Sequence, residues 1–133
     1  MKIAEMYKMR EAMEEKDQLA EQIAMLESAR ISPRVAAYDR EPVKGSVQND
    51  ITAENLVKIE RLLEMYNAKL SLTLDMQERF EKACECLLAR ERKIMRRYFI
   101  NYVPWEKIAS DEDISWTQIM RIRRECMQRI TKC

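Results

Sequence analysis

The chain has no histidine, one glycine and three prolines among its 133 residues. Without an imidazole there is no proton shuttle that titrates near neutral pH and no mixed Cys/His zinc site. The lone glycine, Gly45, leaves no glycine-rich phosphate-binding loop. No nucleophile stands beside a plausible base, so the chain is expected not to be an enzyme and to need no cofactor. No apolar run approaches the roughly 20 residues that span a bilayer, and the first residues lack the apolar core of a secretion signal. The expectation is a cytoplasmic protein with no membrane partner. In that compartment Cys84, Cys86, Cys126 and Cys133 stay reduced. Their spacing also argues against a metal, because Cys84-x-Cys86 is not the C-x-x-C of a zinc site. Those two thiols lie about 200° apart around an ideal helix, so at most one shares a buried face.

What the chain does contain is helix-forming residues. Ten Met stand among abundant Glu, Lys, Arg, Leu, Ile and Ala, a composition that propagates helix and supplies little turn chemistry. The fold class expected is all-α. Net charge is +1, but it is unevenly distributed. Residues 1–85 hold 13 basic and 17 acidic side chains, net −4, and residues 86–133 hold 11 and 6, net +5. That asymmetry points to a nucleic-acid end and a second end with another task.

Along the chain, residues 3–26 carry apolar side chains at Ile3, Met6, Met13, Ala20, Ile23 and Leu26, mostly at helical spacings, which predicts one amphipathic helix. Residues 30–50 hold Pro33, Pro42 and Gly45 without any period and are expected to form a loop. A helix capped by Asp50 or Thr52 should follow. From Leu56 through Ile59, Leu63, Tyr66, Leu70, Thr73, Gln77, Phe80 and Cys84 to Leu87, apolar and small polar residues alternate at spacings of three and four, the seam of a left-handed coiled coil. Residues 1–88 therefore read as a helical hairpin or coiled-coil arm, able to pair within the chain or with a second copy.

Residues 89–133 read differently. A helix over residues 90–100 buries Ile94, Met95, Tyr98 and Phe99. Pro104 opens a short helix, where its missing N–H costs nothing. After an acidic turn, Ser115 is placed to cap a last helix from Trp116 to about Thr131, with Ile119, Ile122, Cys126 and Ile130 on one face. Two short helices around a tight turn, the second rich in Arg, is the arrangement that lays a helix in the DNA major groove. Arg121 and Arg124 can offer paired donors to guanine, Gln118 can pair with adenine, and the Thr117 methyl can touch a thymine methyl. Arg96, Arg97, Lys107, Arg123, Arg129 and Lys132 suit phosphate, with Trp105 and Trp116 beside them. The interface expected from sequence is thus Ser115, Trp116, Thr117, Gln118, Arg121, Arg123, Arg124, Lys107, Arg96 and Arg97, contacting double-stranded DNA.

Arg90 to Met95, Arg97-Tyr98, Trp105 to Ala109, Ile114-Ser115 and Ile119 together resemble region 4 of bacterial sigma factors. More closely, they resemble phage-encoded transcriptional regulators of the RinA and ArpU type, in which such a helix-turn-helix follows an N-terminal helical segment. The resemblance implies regulation, and more specifically activation, of phage or prophage genes in a bacterial host cell, through promoter DNA and host RNA polymerase. The chain departs from the family pattern at Asp113, where the turn usually carries glycine, and at Asp111 and Glu112, where apolar residues usually pack. Three acids there would repel phosphate if they faced it. Alternative readings are a small terminase subunit that recognises packaging sites, an autonomous sigma-like initiation factor, and an interaction protein whose C-terminal helices are only a cap.

Overall fold

A computed structural model describes the backbone of residues 1–38 and 45–132, and the side chains of residues 1–29 and 53–132. Their regular secondary structure is all helical, with no strand among the described residues, as the composition predicts. The elements are α1 (Ile3–Tyr38), α2 (Gly45–Ala83), a 3-10 turn (Cys84–Cys86), α3 (Ala89–Phe99), α4 (Trp105–Asp111) and α5 (Trp116–Lys132).

The expected loop over residues 30–50 is largely helix instead. α1 continues through Pro33 to Tyr38, and α2 starts at Gly45 rather than at Asp50 or Thr52. Residues 39–44, with Pro42, lie outside the described residues. Helix propagation accounts for the difference. A single proline removes one backbone bond but does not erase the gain from the good helix formers around it, Ala36 and Ala37 being among them. Likewise residues 46–52 contain neither glycine nor proline to halt the helix before Gly45.

The contacts divide the chain into two compact units, Met1–Met13 with Leu72–Cys133, and Glu14–Ser71. In the second unit Leu19 of α1 and Ile59 of α2 are buried, and Lys69 of α2 pairs with Glu15 of α1. Leu56 and Leu63, seam positions by sequence, stay 40% and 41% exposed.

The first unit holds the larger core. Met6, Met9 and Met13, spaced three and four apart, form the buried row of α1. Ile3 and Ala20, expected on that row, stand exposed, while Met9, Ala12 and Leu19 are buried in their place. α2 meets this end of α1 through Arg79 on Glu5 at 3.0 Å and Gln77 on the Met13 sulfur at 3.3 Å. Thr73, Phe80, Cys84 and Leu87 are buried, so this part of the heptad seam is spent on packing inside the unit. Phe99 of α3 sits at the centre, its ring centroid 5.7 Å from that of Phe80 and 5.4 Å from that of Tyr7. Edge-to-face aromatic contacts of this kind add about 0.5–1.5 kcal/mol to the burial itself.

Glu91 joins the ends of two helices. Its carboxylate accepts from the Leu88 N–H at 3.1 Å, the Arg129 guanidinium at 2.9 Å and the Cys126 thiol at 3.3 Å. The first bond caps α3 and the others fasten α5 to it. Burial would raise this carboxyl's pKa, but the bonds from Leu88, Cys126 and Arg129 outweigh that and hold it below its usual range.

Candidate nucleic-acid interface

The turn between α4 and α5 explains why glycine is dispensable there. Asp113 has φ 56°, the left-handed region. Its N–H donates to the Ser110 carbonyl at 3.2 Å, and the Ile114 N–H donates to the Ala109 carbonyl at 3.0 Å. This pair of bonds is a Schellman motif, with Asp113 in the place that glycine favours and Ile114 folding back over the last turn of α4. Aspartate tolerates the left-handed region better than most residues, which lets the turn close without glycine.

Ser115 then starts α5 by reciprocal capping. The Gln118 N–H donates to Ser115 Oγ at 3.2 Å, and the Ser115 N–H donates to Gln118 Oε1 at 3.2 Å. α5 buries Ile119, Cys126 and Ile130. On the opposite side Thr117, Arg121, Arg124 and Gln128 are exposed and, at 100° per residue, fall within an arc of about 60°. Trp116 flanks this row at 50% exposure, and Lys107 of α4 is exposed as well.

The acids of the turn face α3. Arg97 Nη2 donates to Asp111 Oδ2 at 2.6 Å, and this bond holds the Asp111 carboxyl below its usual range. Glu112 pairs with Lys93 at 3.2 Å and with Arg90 at 3.7 Å. Water and salt screen pairs at the surface, so they orient the acids more than they stabilise the fold. Asp113 stays exposed.

The structure separates the ten residues singled out from the sequence into two groups. Ser115, Trp116, Thr117, Gln118, Arg121, Arg124 and Lys107 are exposed on α4, α5 and the residue before α5. Arg96, Arg97 and Arg123 are engaged elsewhere. Arg96 grips Glu81 of α2 with two bonds, at 2.8 and 2.6 Å, which lowers the Glu81 carboxyl and raises the guanidinium. Arg97 is held by Asp111 as described. Arg123 turns towards α1, where Nη2 donates to the Tyr7 hydroxyl at 2.8 Å, and its guanidinium lies 5.8 Å from the Trp105 ring centroid. Trp105, expected beside phosphate, is buried and stacked on Tyr98 at 4.2 Å.

The structure also shows partners that sequence reasoning missed. Arg10 of α1 lies 4.4 Å over the Tyr98 ring and donates from Nε to the Tyr98 carbonyl at 3.2 Å. Arg10, Tyr98 and Trp105 therefore form a stack that locks α1 onto α3 and α4, a contact no local spacing could reveal. Gln128 was legible, since it lies eleven residues after Thr117 on the same face. Arg129, assigned to phosphate, belongs to Glu91. Among the described residues no cluster of acids and thiols could hold a metal ion.

Comparison with protein-family models, curated proteins and solved structures found no match for this chain.

Proposed function

We propose that this chain is a sequence-specific double-stranded DNA-binding regulator, acting on phage or prophage promoters as an activator, with α4, the turn and α5 serving as its helix-turn-helix. One observation carries the reading: the exposed Thr117, Arg121, Arg124 and Gln128 row lies on the face of α5 opposite its core. A reading helix needs such a face, polar, donor-rich and backed by a rigid unit. The pairing of Asp111 and Glu112 with α3 supports the same reading, because it offsets the repulsion that a bare acidic turn would exert on phosphate.

In this reading Arg121 and Arg124 address base edges, Thr117 reads by its methyl group, and Lys107 and Trp116 lie against the backbone of the duplex. Gln118 has its carbonyl oxygen on the Ser115 N–H, so it offers DNA its amide N–H groups rather than the donor–acceptor pair that adenine needs. Arg96 and Arg97 reach phosphate only by leaving Glu81 and Asp111. Self-association through α1 and α2, contact with host RNA polymerase, a cytoplasmic location and the absence of catalysis complete the proposal.

The test is selection of bound sequences from a random duplex library at two salt concentrations. Enrichment of a defined motif, with binding that weakens steeply as salt rises, is the expected result. Absence of salt-sensitive duplex binding would remove the reading.

A further inference from the structure

Arg123, Arg124 and Met127 lie three, four and seven residues after Met120, which puts all four on one side of α5. With Gln128 and with Ile3 of α1 they line an open cleft of about 450 Å³ inside the first compact unit. Small-molecule sites occupy about 300–1,000 Å³, so the cleft is of that size. Its apolar lining comes from Met127, which is buried, Met120, which packs on the core, and Ile3, which stays 40% exposed. Unbranched, polarisable methionine side chains adapt to apolar groups of varied shape. The polar lining carries one sign of charge: two guanidiniums and an amide, with no acid among the described residues there. Arg96, Arg97 and Arg129 each hold a carboxylate, whereas Arg123 does not. Arg123 is half-buried, its Nη2 donates to the Tyr7 hydroxyl, and its Nη1 reaches only the Met120 sulfur, at 3.9 Å. Its buried Nε has no hydrogen-bond partner among the described residues. A guanidinium drawn out of water onto neutral acceptors is under-compensated, and an anion beside it supplies what the lost water did.

We propose that this cleft binds a small organic anion with an apolar tail, of the fatty-carboxylate class, and that its occupant competes with DNA for Arg124. The carboxylate takes N–H donors from Arg123 and Arg124, and the tail covers Ile3, Met120 and Met127. A thioether is a weak acceptor, so Arg123 Nη1 exchanges the Met120 sulfur for a carboxylate oxygen at little cost. The lining disfavours other classes of ligand. A cation meets two like charges, an inorganic anion leaves the apolar side chains uncovered, and a neutral apolar molecule leaves Arg123 without a counter-charge. Arg124 and Gln128 also belong to the exposed row on α5. A carboxylate held by Arg124 therefore takes a donor from the reading face and sets a negative charge where phosphate would approach. The competition rests on the DNA-binding reading above; the site itself does not.

Methyl NMR of the full chain, carbon-13 labelled at its methionines, provides the test, with octanoate as the probe and octanol and inorganic phosphate as controls. Octanoate at concentrations on the order of 1 mM should shift Met120 and Met127 saturably. Met25 and Met65, exposed and outside the cleft, should stay in place. Arg124→Gln removes one guanidinium and Ile3→Glu adds a repelling carboxylate; each should weaken octanoate binding about tenfold. Both positions are exposed, so the helicity of the variants by circular dichroism should match the parent. The site is overturned by no saturable shift at Met120 and Met127, by equal shifts with octanol or phosphate, by equal movement of Met25 and Met65, or by binding that neither variant weakens. Saturating octanoate should also lower duplex affinity about tenfold. Unchanged duplex affinity overturns the competition alone. A chain that binds no duplex overturns the reading above and the competition with it, while the methyl shifts still decide the site.

Discussion

Replacing Glu91 by alanine is the most informative single perturbation of the fold. The change removes the acceptor of the Leu88 N–H at the start of α3, which is worth about 1 kcal/mol as a cap. It also strips the Cys126 thiol and the Arg129 guanidinium of their partner. Arg129 is 43% exposed and can be rehydrated by solvent, so the loss of its partner adds little to the cost of the lost cap. With the weak thiol bond, the total is about 1–2 kcal/mol, or roughly 5 °C in midpoint for a chain of this size. The effect should also depend on pH. The folded carboxyl titrates below its ordinary value of 4.5, so the folded state holds its proton less tightly than the unfolded state. Its contribution is therefore complete above 4.5 and fades as pH falls through the lower, folded value. Urea unfolding followed by circular dichroism at pH 7 and again well below pH 4.5 measures both. A loss below about 0.5 kcal/mol at pH 7, or a gap between parent and variant that does not narrow in acid, would refute the role assigned to Glu91.

Three further outcomes are expected. Arg121→Ala should weaken binding to a selected site by about 1–3 kcal/mol and relax preference at one base pair, read by titration of matched and mismatched duplexes; unchanged preference would reassign the reading face. Asp113→Gly should raise stability by about 1 kcal/mol, because glycine takes the left-handed region without a Cβ clash, and a chemical denaturation curve checks it. Alkylation at pH 8 should label exposed Cys86 quickly and spare Cys84 and Cys126. Burial pushes both of these thiols up to about 12, reinforced at Cys84 by the charge of Glu81 and at Cys126 by Glu91. Equal labelling of all three in the native chain would contradict their burial.

How far each element could be read in advance follows from the range of the interactions that set it. α3, α4 and α5 fall within a residue or two of their sequence boundaries because their ends carry local signals, Pro104 before α4 and the Ser115–Gln118 box at α5. The seam from Thr73 to Leu87 was legible because it has a strict period and an apolar partner wherever it is buried. The row on α1 was misplaced at Ile3 and Ala20, since a 36-residue helix of weak amphipathicity presents several competing stripes and only its neighbours choose one. Helix across most of residues 30–50 was unreadable because proline and glycine are scored as breakers one at a time, whereas propagation is cooperative. At the interface, an exposed arginine and one bound to Tyr7 look identical in sequence, and Arg121 and Arg123 differ only in which side of α5 they occupy.

By itself, then, the sequence determined the all-helical class, the acidic and basic halves, the cap of α5 and the exposure of Thr117, Arg121 and Arg124 on that helix. All of these depend on residues within a turn or two of each other, or on composition. Only the tertiary structure decided which basic residues remain available on the surface. Arg96, Arg97, Arg123 and Arg129 each meet a partner from another helix, namely Glu81, Asp111, Tyr7 and Glu91. A long, flexible cationic side chain has no local preference strong enough to fix where its charge is satisfied, so that choice falls to whatever acceptor the packed fold brings within reach.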